Sequence, residues 1–135
     1  MLNYKKNLRQ RKSIAKRYIK NFSKIKSVKH MPYSSDSSFF VFQIFCENRD
    51  KLLEELKKKK IGVSVHYEKP LPLMSYYKKK YNLKLNNFKN SIYYGKNNIS
   101  LPVYPKLKKQ EVDKICKTIV NFFRKWKTKK FFWLV

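Results

Sequence analysis

A chain of 135 residues fits one domain, and with 42% hydrophobic and 16% aromatic residues it is too apolar for a disordered basic tail. Its 34 Lys and Arg against 8 Asp and Glu give a formal net charge of +26, which attracts any polyanion, yet only five of those cations are arginine, the residue that bidentate phosphate or guanine recognition favours. No apolar run approaches the roughly 18 residues of a membrane span, and the basic N-terminus has no apolar segment of the secretory type.

The excess of Lys, Asn, Tyr, Phe and Ile is what an A+T-rich coding sequence supplies, so the charge reads first as a solvated surface. Cys46 and Cys116 stand far apart with no Cys or His at metal-ligand spacing. They read as thiols of a reducing, cytoplasmic compartment, not as a zinc site or a disulfide framework.

From Arg9 to Phe22 the apolar residues Ile14, Ala15, Tyr18, Ile19 and Phe22 form one helical stripe. That stripe argues against reading the acid-free, basic stretch Met1 to Ser35 as an organellar transit peptide. Residues 29–38, with Pro32 and a Ser/Asp cluster, predict a loop, and Phe39 to Cys46, apolar except for Gln43, predicts a buried strand. Asn48 or Asp50 can cap a helix carrying Leu52, Leu53 and Leu56 and ending in Lys57 to Lys60, with Gly62 as its left-handed stop. Val63 to Tyr67 alternates like a second strand, and Glu68 to Pro72 leaves the sheet because its two prolines remove ladder donors.

Tyr76 to Tyr81 predicts a short helix, Asn86 and Asn87 a polar link, and Ser91 to Tyr94 another short helix ending at Gly95. Ile99 to Pro105 is the third strand candidate. Val112, Ile115, Cys116, Ile119, Val120 and Phe123 mark a long last helix. The expected architecture is α+β, a small three-stranded antiparallel or mixed sheet with helices packed on one face. The domain is expected over residues 1–124, with a basic, aromatic tail over 125–135 whose Phe131-Phe132-Trp133-Leu134-Val135 end should dock on the domain, a partner or a membrane surface.

Chemistry is sparse. Two glycines cannot build a phosphate-cradling loop, and Glu54, Glu55, Glu111 and Asp113 read as solvated helix residues, not as a catalytic carboxylate pair. His66 alone has a suggestive setting, at a strand end before a proline-rich loop, although position alone favours a packed or hydrogen-bonded structural histidine.

The linear order of motifs carries a resemblance. Arg11-Lys12-Ser13-Ile14-Ala15-Lys16-Arg17-Tyr18 and Asn48 to Leu56 with Ile61-Gly62-Val63 are followed by a more specific central segment. There Val65-His66-Tyr67, Lys69-Pro70-Leu71, Leu73-Met74-Ser75-Tyr76-Tyr77 and Ile99-Ser100-Leu101-Pro102-Val103-Tyr104-Pro105 resemble, in order, motifs of the DegT/StrS-type sugar aminotransferases. The resemblance covers about residues 9 to 123.

It implies the small C-terminal domain of an aspartate-aminotransferase-fold enzyme. Such enzymes are usually homodimers that use pyridoxal phosphate to move an amino group from an amino acid such as glutamate to a nucleotide-linked keto-sugar. The domain holding the Schiff-base lysine would precede Met1 and is expected to be absent. The chain alone is then expected to have no catalytic residue, to bind no cofactor and not to transaminate, as a gene remnant or as half of a split enzyme completed by a large-domain chain. As one wall of the cleft it would offer His66 and Tyr67 as polar contacts to a sugar nucleotide, with Lys69 as a point charge near a phosphate. Two departures stand out, Glu68 as an extra residue and Pro72 where the family commonly has His. The competing reading is a non-enzymatic basic module that binds nucleic acid or an anionic membrane through its lysines and aromatic tail.

Overall fold

A computed structural model describes the backbone of residues 3–132 and the side chains of residues 3–126. Three antiparallel strands, β1 (Lys29–His30), β2 (Phe42–Phe45) and β3 (Asn98–Leu101), form a sheet in the order β1-β2-β3. Five helices accompany it among the described residues: α1 (Tyr4–Phe22), α2 (Arg49–Lys58), α3 (Ser75–Lys80), α4 (Lys89–Asn97) and α5 (Lys109–Phe132). The α+β expectation therefore holds, with a purely antiparallel sheet.

The register of β2 on β3 assigns each face of the sheet. Phe42 pairs with Leu101 and Ile44 with Ile99, and all four are buried, because alternate residues of paired strands share a face. Against this face pack the apolar stripes Ile14, Ala15, Tyr18 and Phe22 of α1, Leu52 and Leu56 of α2, and Val112, Ile115, Cys116, Ile119 and Phe123 of α5, in one continuous core. Tyr18 stacks on Phe42 at 5.0 Å between ring centroids and donates its hydroxyl to the Pro102 carbonyl at 2.9 Å, so a buried phenol is satisfied without water. The other pairs of the register, Gln43 with Ser100 and Phe45 with Asn98, present mainly polar groups to the opposite face. That face builds the site described below.

The helices start or stop where local chemistry directs. Helix α1 begins at Tyr4, five residues before the expected start at Arg9, since its first turns are Lys- and Arg-rich and need no buried face. Asn48 precedes α2 in the left-handed region at φ 58°, and its side chain makes no capping bond. The stop expected at Gly62 falls at Lys60, which takes φ 56°, while neither glycine has positive φ. Ile61 N–H donates to the Leu56 carbonyl at 3.0 Å and Lys60 N–H to that of Lys57 at 2.9 Å, the paired bonds that close a helix through a left-handed residue.

The strands depart further from expectation. β2 is confined to four residues of the run Phe39 to Cys46, and the buried Phe39 stands at φ 45° before it. Val63 to Tyr67 forms no strand and contributes one bridge, Ser64 to Ser100. The third place in the sheet goes to Lys29–His30, in a segment expected to be a loop. β3 ends at Leu101 instead of Pro105, and α4 extends past Gly95 to Asn97.

Asp113 is not merely solvated. Its carboxylate accepts both Nε (2.6 Å) and a terminal nitrogen (2.5 Å) of Arg17, tying α5 to α1. Glu111 accepts the Lys108 N–H at 2.8 Å, a cap on the first turn of α5. That helix continues unbroken through the expected tail boundary at 124/125, and Trp126 folds back so that the Lys51 ammonium of α2 lies 4.4 Å from its ring centroid. The Trp133-Leu134-Val135 end and the side chains expected to dock with it lie outside the described residues.

Candidate functional site

The sheet face turned away from the helical core carries Gln43, Phe45, Asn98 and Ser100, and three of them hold one segment in place. Gln43 donates its amide to the His66 carbonyl at 2.5 Å, Asn98 Oδ1 accepts the His66 N–H at 3.1 Å, and the Ser100 hydroxyl meets His66 Nδ1 at 2.8 Å. Asn98 is 2% exposed and spends its remaining amide protons on the carbonyls of Tyr94 (2.7 Å) and Gly95 (3.3 Å), which locks α4 to the same network. A buried amide with both ends satisfied costs little and fixes one geometry. The backbone of His66 is thus held by side chains, which explains why Val63 to Tyr67 needs no ladder.

Beside this network opens a cleft of about 950 Å³, roughly the upper size of small-molecule sites. Its walls are β1 and β2, the loop after His66, and α3 and α4 with the 3₁₀ turns at Leu71–Leu73 and Leu85–Phe88. The lining is predominantly apolar and aromatic. Phe45 and Tyr94 meet edge to face at 4.9 Å, and Tyr77 stacks with Tyr81 at 6.3 Å. Gly95 is required where α4 passes the proline loop, since a Cβ there would lie 2.7 Å from Cδ of Pro70.

Of the three residues expected to contact substrate, the structure brings two to the cleft. His66 and Tyr67 line it, their rings edge to face at 5.7 Å, and Tyr67 is 78% exposed. Lys69 is exposed and does not line it. The ring of His66 is both exposed and hydrogen-bonded. Pro72, buried in the turn Leu71–Leu73, lines the cleft where the family commonly has His. Gln43, Asn98 and Ser100 escaped sequence reasoning as site residues, although Gln43 stands out as the single polar residue of an apolar strand and Ser100 lies within the Ile99 to Pro105 motif.

The described cleft does not fit a resident pyridoxal phosphate by itself. No Asp or Glu among the described residues lines it to face a pyridinium nitrogen, and of the two glycines only Gly95 lines it, packed against Pro70. Its one lysine, Lys29, is solvent-exposed, with its ammonium 5.5 Å from the centroid of the Tyr93 ring.

The model of the DegT/DnrJ/EryC1/StrS aminotransferase family matches residues 1–120. Among curated relatives, the uncharacterized protein MJ1066 of Methanocaldococcus jannaschii is 45% identical over 65 residues, 48% of this chain and 17% of that protein. The spore coat polysaccharide biosynthesis protein SpsC of Bacillus subtilis is 33% identical over 72 residues, 53% of this chain and 18% of SpsC. Among solved structures, Spr1654 of Streptococcus pneumoniae, assigned to the sugar aminotransferases, superposes in its apo form with a TM-score of 0.80 at 29% identity, over 95% of this chain and 33% of its own. The same protein has been solved in pyridoxal-phosphate and pyridoxamine-phosphate forms. DesV of S. venezuelae shares the fold at a TM-score of 0.83 and 17% identity, over 90% of this chain and 33% of DesV. This chain spans about a third of these solved relatives and matches under a fifth of the curated ones.

Proposed function

Because the chain belongs to the DegT/DnrJ/EryC1/StrS aminotransferase family, we propose that it is the small C-terminal domain of a nucleotide-sugar aminotransferase. Its cleft forms one wall of the site for a nucleotide-linked keto-sugar, and amino transfer, from a donor such as glutamate, needs a cofactor-bearing domain. The observation that carries this reading is the Val65-His66-Tyr67 segment, held over an aromatic cleft by Gln43, Asn98 and Ser100.

In this role His66 presents a ring whose Nδ1 is engaged by Ser100, which leaves Nε2 toward the ligand as a hydrogen-bonding group. Tyr67 offers a phenol on an exposed ring, and the apolar walls exclude water from the ligand body. Lys69 stays at the solvent side as a point charge for a diphosphate. Pyridoxal phosphate, bound by the cofactor-bearing domain, supplies the electron sink for amino transfer. Among the described residues no acid lines the cleft to hold that cofactor's ring, and in this reading the chain by itself does not transaminate. Its working form includes a large, cofactor-bearing domain, in a dimer of the family type.

Two measurements test this. Incubation of the chain with pyridoxal phosphate followed by borohydride is expected to give only scattered, low-level labelling of surface lysines; one stoichiometric, site-specific adduct would sink the claim that the chain alone is inert. Titration with a uridine or thymidine diphosphate sugar at constant ionic strength is expected to shift the resonances of His66 and Tyr67. His66→Ala is expected to weaken that binding by about tenfold, the worth of one hydrogen bond to a charged group. Binding that ignores the sugar nucleotide and collapses with salt would instead fit a general polyanion binder.

A further inference from the structure

We propose that a second cavity, sharing only His66 with the large cleft, is a binding site for a compact oxyanion, a carboxylate or phosphate group, gripped by Arg11. This cavity measures about 300 Å³ and lies between α1, the end of β3 and the segment before β2. It is at the small end of the range for ligand sites.

Arg11 lines the cavity from α1, and its Nε is buried with no hydrogen-bond partner among the described residues. The polar groups around it are Ser64, His66, Ser100 and Tyr104, and the rest of the lining is apolar. No Asp or Glu lines the cavity, and the first acid in the chain is Asp36.

Ser64 and Ser100 also line it, and their backbones pair with each other through bonds of 3.3 and 2.8 Å. Both hydroxyls approach the same ring nitrogen, His66 Nδ1, Ser100 at 2.8 Å and Ser64 at 3.4 Å. One ring nitrogen serves one close partner, so the more distant Ser64 hydroxyl keeps its proton for a ligand oxygen. Phe40, 75% exposed, and Tyr104, 51% exposed, flank the mouth and would contact the carbon body behind the charged head. The planar fork of Arg11 is the group that binds carboxylate and phosphate bidentately.

The site does not rest on the amino-transfer reading, since it excludes Tyr67 and the aromatic walls of the large cleft. The experiment is a side-chain and backbone NMR titration of the full chain with acetate in one arm and inorganic phosphate in the other, chloride holding ionic strength constant. The expected result is a saturating shift of the Arg11 Nε–H resonance together with the Ser64 and Ser100 amides. Arg11→Gln is expected to weaken the Ser64 and Ser100 response by about tenfold or more, the loss of a charge-assisted bond. Arg11→Lys, which keeps the charge and loses the fork, is the second variant and is expected to fall between the two. Tighter acetate binding assigns the site to a carboxylate ligand, tighter phosphate binding to a phosphorylated one. Shifts that rise linearly without saturation in both arms, or serine responses unchanged in both variants, would overturn the proposal.

Discussion

Asp113 shows how one residue acquires a role its sequence position does not announce. The Arg17 guanidinium hydrogen-bonded to it holds its carboxyl below the usual carboxylate range, and the same bond raises Arg17. Both side chains remain open to solvent, at 39% and 45% exposure, so the pair is screened and acts more to register α1 on α5 than to stabilise the fold. A carboxyl depressed in the folded state stabilises above its unfolded pKa, and that contribution is lost as pH falls through the folded value. Asp113→Asn is therefore expected to be less stable than the parent at neutral pH, and the gap should close on acidification and shrink in high salt. Thermal melts of both proteins across pH check this, and a gap independent of pH would mean that geometry and not charge is what Asp113 provides. Burial above all raises the two thiols, Cys46 and Cys116, each to about 12, with the charge of Asp113 adding to it at Cys116, which leaves both unreactive in the core.

At the scale of elements, Gly95 in α4 sets two effects against each other. Replacing a helical glycine with alanine ordinarily stabilises by about 0.5–1 kcal/mol. Here the new Cβ would meet the rigid ring of Pro70 at 2.7 Å, and overpacking of that kind costs about 1–3 kcal/mol. Gly95→Ala is expected to lower the urea midpoint at unchanged m-value and to displace the loop that carries Lys69; a raised midpoint would show that α4 and the loop separate freely. Which elements were legible follows from how each is stabilised. The stripes of α1, α2 and α5 are readable because a helix face repeats often enough to leave a period. Lys29–His30 left none, since two residues cannot alternate, and its pairing depends on β2. Val63 to Tyr67 alternates like a strand, yet side chains of Gln43 and Asn98 answer the backbone of His66, a substitution visible only once the sheet brings positions 43, 66 and 98 together. The same long-range closure explains why His66 and Tyr67 could be singled out by motif while the residues that hold them could not.

Across the whole molecule, stability is unevenly distributed. The core joins α1, α2 and α5 to β2 and β3, whereas α3 and the turn Leu85–Phe88 bury no residue. Backbone amides of residues 75–88 are expected to exchange with deuterium far faster than those of β2, β3 and the middle of α1 and α5. Uniform protection along the chain would refute that division. Ligand entering the large cleft, whose wall includes Tyr77, Tyr81 and Phe88, would then be expected to slow exchange there selectively.

The sheet's borders bear on a different hazard. An unpaired strand edge is a template on which further chains can add, and a three-stranded sheet has two such edges. One border here is only two residues long and runs into Pro32, which has no amide proton to offer. On the other, Ser64 occupies both the N–H and the carbonyl of Ser100, within a strand whose four residues are all buried. Neither side presents an uninterrupted ladder, so growth of intermolecular sheet is blocked at both ends by the same short pairings that shape the binding face.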